Sequence, residues 1–254
     1  MDLPHPPPYR LTAEQIVFFK TNGYLILERF IDKDTLINWR EQLWTKLGSR
    51  LETPETWPRD QYAINDFRYD PPESAFGRYP PLLSIIEQLG GDAFVGGTGT
   101  PIVSWPRTDI AWEMPESGHI DAYGPGGWSP FMIGATTYAY DVEPGGGGFV
   151  YWPSTHHVAH RYFMDHPTQV DGSFRDIEGW NWKMFAGDVS EGPKEFTAAA
   201  GSVVLWHAYL THTGSINMRA TPRFGLFARW SHRRCGETEF RYEIPEDLWK
   251  YWAV

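Results

Sequence analysis

The sequence has 254 residues, of which 41% are hydrophobic and 21% are charged, and this composition excludes a disordered chain. The 22 Lys and Arg residues against 32 Asp and Glu residues give a net charge of −10, which argues against a nucleic-acid binder. A single cysteine, Cys235, excludes an internal disulfide and a thiolate metal cage. The 25 Gly and 21 Pro residues favour many short elements over a helical bundle.

The first hundred residues are predicted to be mainly helical. Thr12 precedes Gln15 in a capping-box pattern that starts the first helix. A second helix is predicted at residues 32–47, where apolar residues recur on one face, and a third at residues 81–89, ended by two glycines. The proline-rich residues 52–80 are predicted to be a loop.

Short apolar runs, rich in β-branched and aromatic residues and bounded by Gly or Pro, follow residue 99 and predict strands. They are residues 109–113, 133–142, 148–152, 202–207 and 224–230, with a further one at 181–185. Many strands after a helical beginning predict an α+β, mainly β fold with an antiparallel barrel or sandwich. The four-glycine run at residues 145–148 lacks the lysine of a phosphate loop and is predicted to be a hairpin turn.

His119 is the one histidine of nine that is followed two residues later by a carboxylate, Asp121. Residues i and i+2 of an extended backbone point to the same side, so both side chains can reach one ion. A third ligand from a distant strand would complete a 2-His-1-carboxylate set, which leaves positions open on iron.

The chain resembles the phytanoyl-CoA dioxygenase family of iron(II)/2-oxoglutarate oxygenases over most of its length, in one collinear order. The matching segments are LTAEQIVFFKTNGYLILERFIDKDTL, GHIDAY, GGGFVYWPSTHH and AGSVVLWHAYLTHTGSINMRATPRFGLFARW. The resemblance implies a double-stranded β-helix (a jelly-roll or cupin-like barrel) with N-terminal helices packed on one sheet. We expect one domain, with a mainly helical cover at residues 1–100, the β-helix core at 101–235 and a tail at 236–254.

The same resemblance implies the site residues and cofactors. His119, Asp121 and His212 would bind Fe(II), and Arg223 would bind the distal carboxylate of 2-oxoglutarate, a role that suits a bidentate guanidinium. The family often has Gly-Ser after the distal histidine, so here the hydroxyl contact to 2-oxoglutarate would come from Thr213 or Ser215, or be absent.

Two alternatives to these assignments remain open at this point. His207 competes with His212 for the third ligand position, although its place at the end of an apolar run favours a packed histidine. Arg229 lies an even number of residues after Arg223, so both side chains would point to the same side of the predicted strand. Arg229 would bind the 2-oxoglutarate carboxylate if the strand's pairing register were shifted.

The substrate is the least determined part of the prediction. Candidate substrate contacts flank the motif segments and are Tyr123, Trp128, Phe131, Trp152 and His156. His157 and His160 complete a histidine cluster with His156, which suggests a second metal site, but no carboxylate is suitably spaced and both are predicted to be solvated. Residues 159–180 are predicted to be a lid or a surface loop.

The resemblance implies an O2-dependent hydroxylase of a small molecule, and Asp121 argues against a halogenase, which would have a small residue there. One rival is a cupin-like metalloenzyme that does not use 2-oxoglutarate; another is a silent barrel that acts as a binding module.

No secretory signal and no stretch of ~18 apolar residues occurs, so we expect a cytoplasmic protein that binds neither nucleic acid nor membrane. The oligomeric state is left open.

Overall fold

Helices dominate the first part of the chain. The computed structural model describes residues 9–122, 124–186 and 191–254. The N-terminal elements are α1 at Ala13–Asn22, β1 at Tyr24–Leu27, α2 at Lys33–Leu47 and α3 at Pro80–Gly90. Of the predicted loop at 52–80, residues 52–79 are irregular apart from short 3-10 turns and one isolated bridge, and Pro80 begins α3. No helix in these described ranges has the length and apolar character needed to span a membrane.

The predicted helix ends are confirmed by their capping contacts. The Thr12 hydroxyl accepts from the Gln15 amide at 3.2 Å, and the Gln15 side chain accepts from the Thr12 amide at 2.9 Å, which forms the capping box. The Asp32 carboxylate accepts from the Thr35 amide at 2.9 Å and starts α2. Gly91 ends α3 with a φ of +65°, a conformation that favours glycine.

The rest of the chain consists mostly of short strands. They are β2 at Phe94–Thr98, β3 at Ile102–Ser104, β4 at Met132–Tyr138, β5 at Phe149–Tyr151, β6 at Lys194–Phe196, β7 at Val203–His207, β8 at His212–Gly214 and β9 at Arg223–His232. Helix α4 at Thr155–Asp165 and helix α5 at Thr238–Tyr242 complete the elements discussed below.

The strands form two antiparallel sheets. The larger sheet has the order β1-β7-β4-β9-β2, with β3 also paired to β9, and the smaller has the order β6-β5-β8. From β3 onward the chain passes back and forth between the two sheets. The Tyr138 hydroxyl joins them, since it donates to the Phe196 carbonyl and accepts from the Phe149 amide. The mixed architecture with antiparallel sheets agrees with the predicted fold class.

Four predicted strands are confirmed as β4, β5, β7 and β9. The glycine run at 145–148 forms a turn before β5, but not the predicted hairpin, because β4 and β5 belong to different sheets. Two predicted strands are wrong. Residues 109–113 pair with no strand among the described residues, although the composition suits one. Residues 181–185 contain a 3-10 turn, because the Asn181 side chain accepts from the Lys183 amide and starts it.

The sequence analysis missed β2, β3, β6, β8 and α4. Gly96, Gly97 and Pro101 interrupt the β2–β3 region and hide its strand pattern. Helix α4 lies in the segment that was predicted to be a lid or loop. Ser154 precedes it with a φ of +65°, and although serine is a common N-cap residue, its side chain makes no capping hydrogen bond here.

The larger sheet lies at the centre of the core. Every residue of β4 and β7 is buried, which means that both faces of these strands are covered. Successive residues of a strand point to opposite faces. Trp206 and Tyr138 therefore point toward the smaller sheet, whereas His207 points outward, where Trp249 and Trp252 of the C-terminal tail pack on it.

Candidate metal centre

Backbone pairing at one end of the smaller sheet brings the H-x-D motif to the distal histidine. The amides and carbonyls of His119 and His212 exchange two hydrogen bonds of 2.9 Å, which extends the smaller sheet beyond β8 by one bridge. Gly118 makes this approach possible, because a Cβ atom there would lie 2.5 Å from the His212 carbonyl oxygen. The Asp121 amide donates to the Ala208 carbonyl at 3.4 Å.

The three side chains converge on one point. The Asp121 Oδ1 atom lies 3.4 Å from Nε2 of His119 and 3.6 Å from Nε2 of His212. One ligand atom from each of the three residues lies within 4.8 Å of the others. The His119 side chain is 45% exposed, against 12% for Asp121 and 6% for His212. The cluster is therefore reached from solvent on the His119 side.

Hydrogen bonding fixes the tautomer of the buried ligand. Nδ1 of His212 lies 2.8 Å from the Leu210 carbonyl oxygen, and a carbonyl can only accept, so Nδ1 carries the proton. The lone pair of Nε2 then faces Asp121. Such a backbone contact on the far ring nitrogen is typical of histidines that bind metals.

The protonation states also suit a cation. Burial alone would raise the pKa of Asp121, but His212, His119 and Arg229 outweigh it and hold that pKa well below its usual range. Burial lowers the pKa of His212 and so favours its neutral form, although Asp121 acts in the opposite direction. A carboxylate and a neutral imidazole are the forms that bind metal.

The donor set fits the ion that the sequence predicts. Two imidazole nitrogens and one carboxylate oxygen suit a non-haem Fe(II) ion and leave coordination positions for other ligands. Within the described ranges, His119, Asp121 and His212 are the only group of three or more His, Cys, Asp or Glu residues placed to hold an ion. The second metal site considered for the histidine cluster is not formed.

Arg223, the candidate 2-oxoglutarate residue, lies inside the space between the sheets. It begins β9, is 5% exposed and donates from Nε to the Gly147 carbonyl at 2.7 Å. Its guanidinium lies 5.9 Å from the centre of the Tyr138 ring. Burial lowers the pKa of Arg223 from its ordinary value, while Tyr138, Tyr62 and Glu195 oppose that shift.

The two candidate hydroxyls occupy different places. Thr213 borders the pocket that exposes His119 and Asp121. Ser215 donates to the Glu195 carboxylate at 2.6 Å, and the same carboxylate accepts from the Gly145 and Gly148 amides. Gly214 lies between them on β8, and a Cβ atom there would lie 3.8 Å from the Arg223 guanidinium. Gly214 lies beside Arg223 and carries no hydroxyl, so this position cannot supply the hydroxyl contact.

Arg229, the alternative carboxylate ligand, contacts the triad itself. Its Nε atom donates to Oδ2 of Asp121 at 2.8 Å. This arginine thus has a different role from Arg223, although both point to the same side of β9.

The predicted substrate residues separate into two groups. Trp128 borders an open pocket of about 410 Å³ beside His119 and Asp121, and Trp152 is buried with its ring against Gly118. Phe131 is fully buried and packs on Phe240 and Tyr251 of the tail, so the structure does not bring it to the triad. Tyr123 lies outside the described residues.

His156 is not brought to the triad either. It is fully buried at the start of α4, with Nε2 donating to the Lys20 carbonyl at 3.0 Å, and it packs on His207 on the outer face of β7. His160, predicted to be solvated, is 6% exposed and contacts the Pro245 carbonyl. His157 is half-buried against the Thr21 carbonyl. These histidines join α4 to α1 and to the C-terminal tail.

Sequence reasoning missed Trp182 as a site residue. Its ring lies edge-on to His119 at 6.0 Å and borders the same pocket as Trp128. The adjacent Lys183 pairs with Glu116 at 2.8 Å and ties the turn to the segment before the H-x-D motif. No local signal marks Trp182, because the contact depends on how a distant turn folds back.

No protein-family model and no curated protein matches the chain, but solved structures do. The carbocyclase SnoK, described as non-heme and alpha-ketoglutarate dependent, is 15% identical with a TM-score of 0.55, over 87% of this chain and 84% of SnoK. HygX from Streptomyces hygroscopicus, with nickel and 2-oxoglutarate bound, is 16% identical with a TM-score of 0.57, over 88% of both chains. EctD from S. alaskensis, with bound Fe, is 14% identical with a TM-score of 0.56, over 89% of this chain and 79% of EctD.

At these identities the similarity shows a shared fold. Of these neighbours, SnoK is described as alpha-ketoglutarate dependent, HygX has 2-oxoglutarate bound and EctD has Fe bound, and the His-Asp-His cluster of this protein is suited to Fe(II).

Proposed function

We propose that this protein is an Fe(II)- and 2-oxoglutarate-dependent dioxygenase that hydroxylates an unactivated C–H bond of a small molecule, with release of succinate and CO2. The observation that carries the proposal is the convergence of His119, Asp121 and His212 on one point. Two imidazoles and one carboxylate leave room on the ion for a bidentate co-substrate and for dioxygen.

The sheet order supports a double-stranded β-helix in a single domain. Strands β3, β9, β4 and β7 are neighbours in the larger sheet, and the His119 bridge, β8, β5 and β6 are neighbours in the smaller one. In such a β-helix the triad would lie at one end of the space between the sheets, and β9 would run along that space.

Arg223 supports a role for 2-oxoglutarate rather than metal chemistry alone. Arg223 is 5% exposed, and a buried guanidinium favours nearby anions; Glu195 already acts on it electrostatically, and a dicarboxylate held at the metal by its other end would provide a second anionic partner. A cupin-like metalloenzyme without 2-oxoglutarate would not need this residue. A binding module would need neither Arg223 nor the triad.

When bound, the iron and its co-substrate would supply the activation of dioxygen and the oxidation of the C–H bond. The protein's own residues would orient the reactants. The Leu210 carbonyl keeps the Nε2 lone pair of His212 available, and Asp121 occupies the position that a halogenase would leave to halide. We therefore propose hydroxylation, or a related desaturation or ring closure, rather than halogenation.

The pocket beside His119 supports a small-molecule substrate with a flat or cationic part. Trp128 and Trp182 form two of its walls, and indole faces bind such groups by stacking and cation–π contact. The ring of Trp182 lies edge-on to the exposed imidazole of His119, with 6.0 Å between the ring centres. Residues 159–180, which include the second half of α4, contact the Trp128 ring through Phe174 and do not border the pocket themselves, so this segment would support its wall from behind.

The experiment that tests the proposal is anaerobic addition of Fe(II), then 2-oxoglutarate, while the visible charge-transfer band of the chelate is recorded. The band should appear with both additions and be lost in Asp121→Ala and His212→Ala proteins. Bound iron without a band would favour an enzyme that does not use 2-oxoglutarate. Binding of neither would overturn the proposal in favour of a silent barrel.

A further inference from the structure

The two oxygens of Asp121 have different partners. Oδ1 faces the two imidazoles, at 3.4 Å and 3.6 Å from their Nε2 atoms. Oδ2 accepts from Nε of Arg229 at 2.8 Å. The arginine therefore holds one oxygen of the carboxylate and leaves the other directed at the ion site.

Arg229 is itself held in place by an aromatic support. Its guanidinium lies 5.3 Å from the centre of the Trp206 ring and 6.0 Å from that of Phe227. Gly134 is the cross-strand neighbour of both Arg229 and Trp206, and a Cβ atom there would lie 2.1 Å from the Trp206 ring. The glycine thus lets the indole lie flat across the sheet beneath the guanidinium.

The same indole also supports the distal ligand. The Trp206 ring lies 4.7 Å from the ring of His212, and its Nε1 donates to the Thr136 hydroxyl at 3.1 Å. One fixed ring therefore contacts a metal-ligand histidine and the arginine that holds the metal-ligand carboxylate.

We propose that Arg229, supported by Trp206, is a positioning residue that keeps Asp121 a one-oxygen ligand of the metal. This inference rests on the proposed function, since it assumes that the triad binds an ion. Two effects compete when Arg229 is removed: the loss of a nearby positive charge would strengthen cation binding, and the loss of orientation would weaken it. The 2.8 Å contact and the shared aromatic support indicate that orientation is the larger effect.

The test is an anaerobic titration of the metal-free protein with Co(II), followed by the visible d–d spectrum of the complex. We expect Arg229→Met to raise the dissociation constant by about 10–100-fold, in the range found for residues that orient metal ligands. Its spectrum should change as Oδ2 becomes free to bind the ion. Arg229→Lys, which retains a donor, should recover part of the affinity.

Arg40→Met is the matched control, because Arg40 likewise donates from Nε and lies over an aromatic ring, but it belongs to α2 and its acceptor is the backbone carbonyl of Ala139 instead of Asp121. It should bind Co(II) as the wild type does.

Equal or tighter binding by Arg229→Met, with an unchanged spectrum, would overturn the inference and leave the proposed function standing. If the wild-type protein bound no Co(II) or Fe(II), the proposed function itself would fail.

Discussion

The Nδ1 atom of His212 lies 2.8 Å from the carbonyl oxygen of Leu210, so its Nε2 atom is left to bind an ion. The ring of His207 is arranged the other way, since its Nδ1 accepts from the Tyr209 amide at 3.0 Å and its Nε2 therefore carries the proton. Both residues come from the same short stretch of chain, but His212 is directed at Asp121 and His207 at the C-terminal tail.

We therefore expect His212→Ala to lose Fe(II) binding and to retain its far-UV circular dichroism. His207→Gln should bind Fe(II) as tightly as the wild type while unfolding at a lower temperature, because its ring packs on Trp252 in a fully buried site. Isothermal titration of the metal-free proteins measures Fe(II) binding, and thermal unfolding measures stability. Loss of iron in His207→Gln with retention in His212→Ala would reverse the ligand assignment.

Substitution of Arg223 should affect the co-substrate and not the metal. We expect Arg223→Lys to raise the 2-oxoglutarate concentration needed for half-formation of the chelate band at least about tenfold, which corresponds to roughly 1.4 kcal/mol. A lysine cannot form the bidentate contact. Arg219→Lys is the control, since Arg219 is exposed and pairs with Glu143 at 3.8 Å. An unchanged requirement in Arg223→Lys would remove Arg223 from the co-substrate site.

A methyl group at Gly134 should disturb the indole beneath the metal centre. The Cβ atom of Gly134→Ala would lie 2.1 Å from two atoms of the Trp206 ring, so the ring must move. We expect a loss of about 1–3 kcal/mol in the free energy of unfolding, together with weaker Co(II) binding. Gly192→Ala, at a position with open space around it, should change neither. A Gly134→Ala protein as stable as the wild type would mean that the ring has room to shift.

Buried neutral histidines should make the fold sensitive to acid. Burial, with a contribution from His157, lowers the pKa of His156 to about 3, and burial lowers that of His207 well below its ordinary value. Unfolded histidines titrate near 6.5, so below that pH the unfolded chain binds more protons than the folded chain. Stability is therefore fully present above about pH 6.5 and is lost as the pH falls toward 3.

Each of these histidines should cost up to about 1.4 kcal/mol of unfolding free energy per pH unit in this window. Urea unfolding between pH 7 and pH 5 measures the slope, and His156→Gln should show a shallower one. His166→Gln, at an exposed position on the other end of α4, is the control. Identical slopes in wild type and His156→Gln would show that His156 already has a proton in the folded state.

An external anion should replace the carboxylate of Asp121. In Asp121→Gly, Arg229 would still lie over Trp206 beside the vacated space. We expect formate at high concentration to restore part of the Co(II) affinity that this variant loses, because the guanidinium holds the anion near the ion. Formate should not restore Co(II) affinity in the double variant Asp121→Gly, Arg229→Met. If it did, Arg229 would not be the residue that holds the anion.

The H-x-D pair could be predicted because its signal is local, whereas His212 was assigned from the resemblance to an oxygenase family, and the structure brings the three side chains together. An H-x-D pair on extended backbone places both side chains on one side whatever surrounds it. The choice of His212 over His207 agrees with the converging side chains. The alternation of side chains along β7, which turns His207 to the face opposite Trp206, would have supported this choice but was not used.

The substrate residues could not be predicted in the same way. Phe131 and His156 are close in sequence to the motifs, but each lies where the C-terminal tail covers the core. Trp182 was overlooked because the turn that carries it is placed by contacts with Phe174 and Trp180, and such contacts leave no periodic pattern in the sequence. The location of an aromatic ring depends on tertiary packing more than on composition.

Strand β9 carries both arginines of the site on one face and pairs with β4, β2 and β3. A slip of one residue in its pairing would turn both guanidinium groups out of the interior together and replace them with Phe224 and Trp230. Pairing with three strands opposes such a slip, since the register of each would have to change at once. The spacing between Arg223, the proposed co-substrate contact, and Arg229, which contacts Asp121, is thus set by backbone pairing, so insertions should be tolerated in the loops around β9 and not within it.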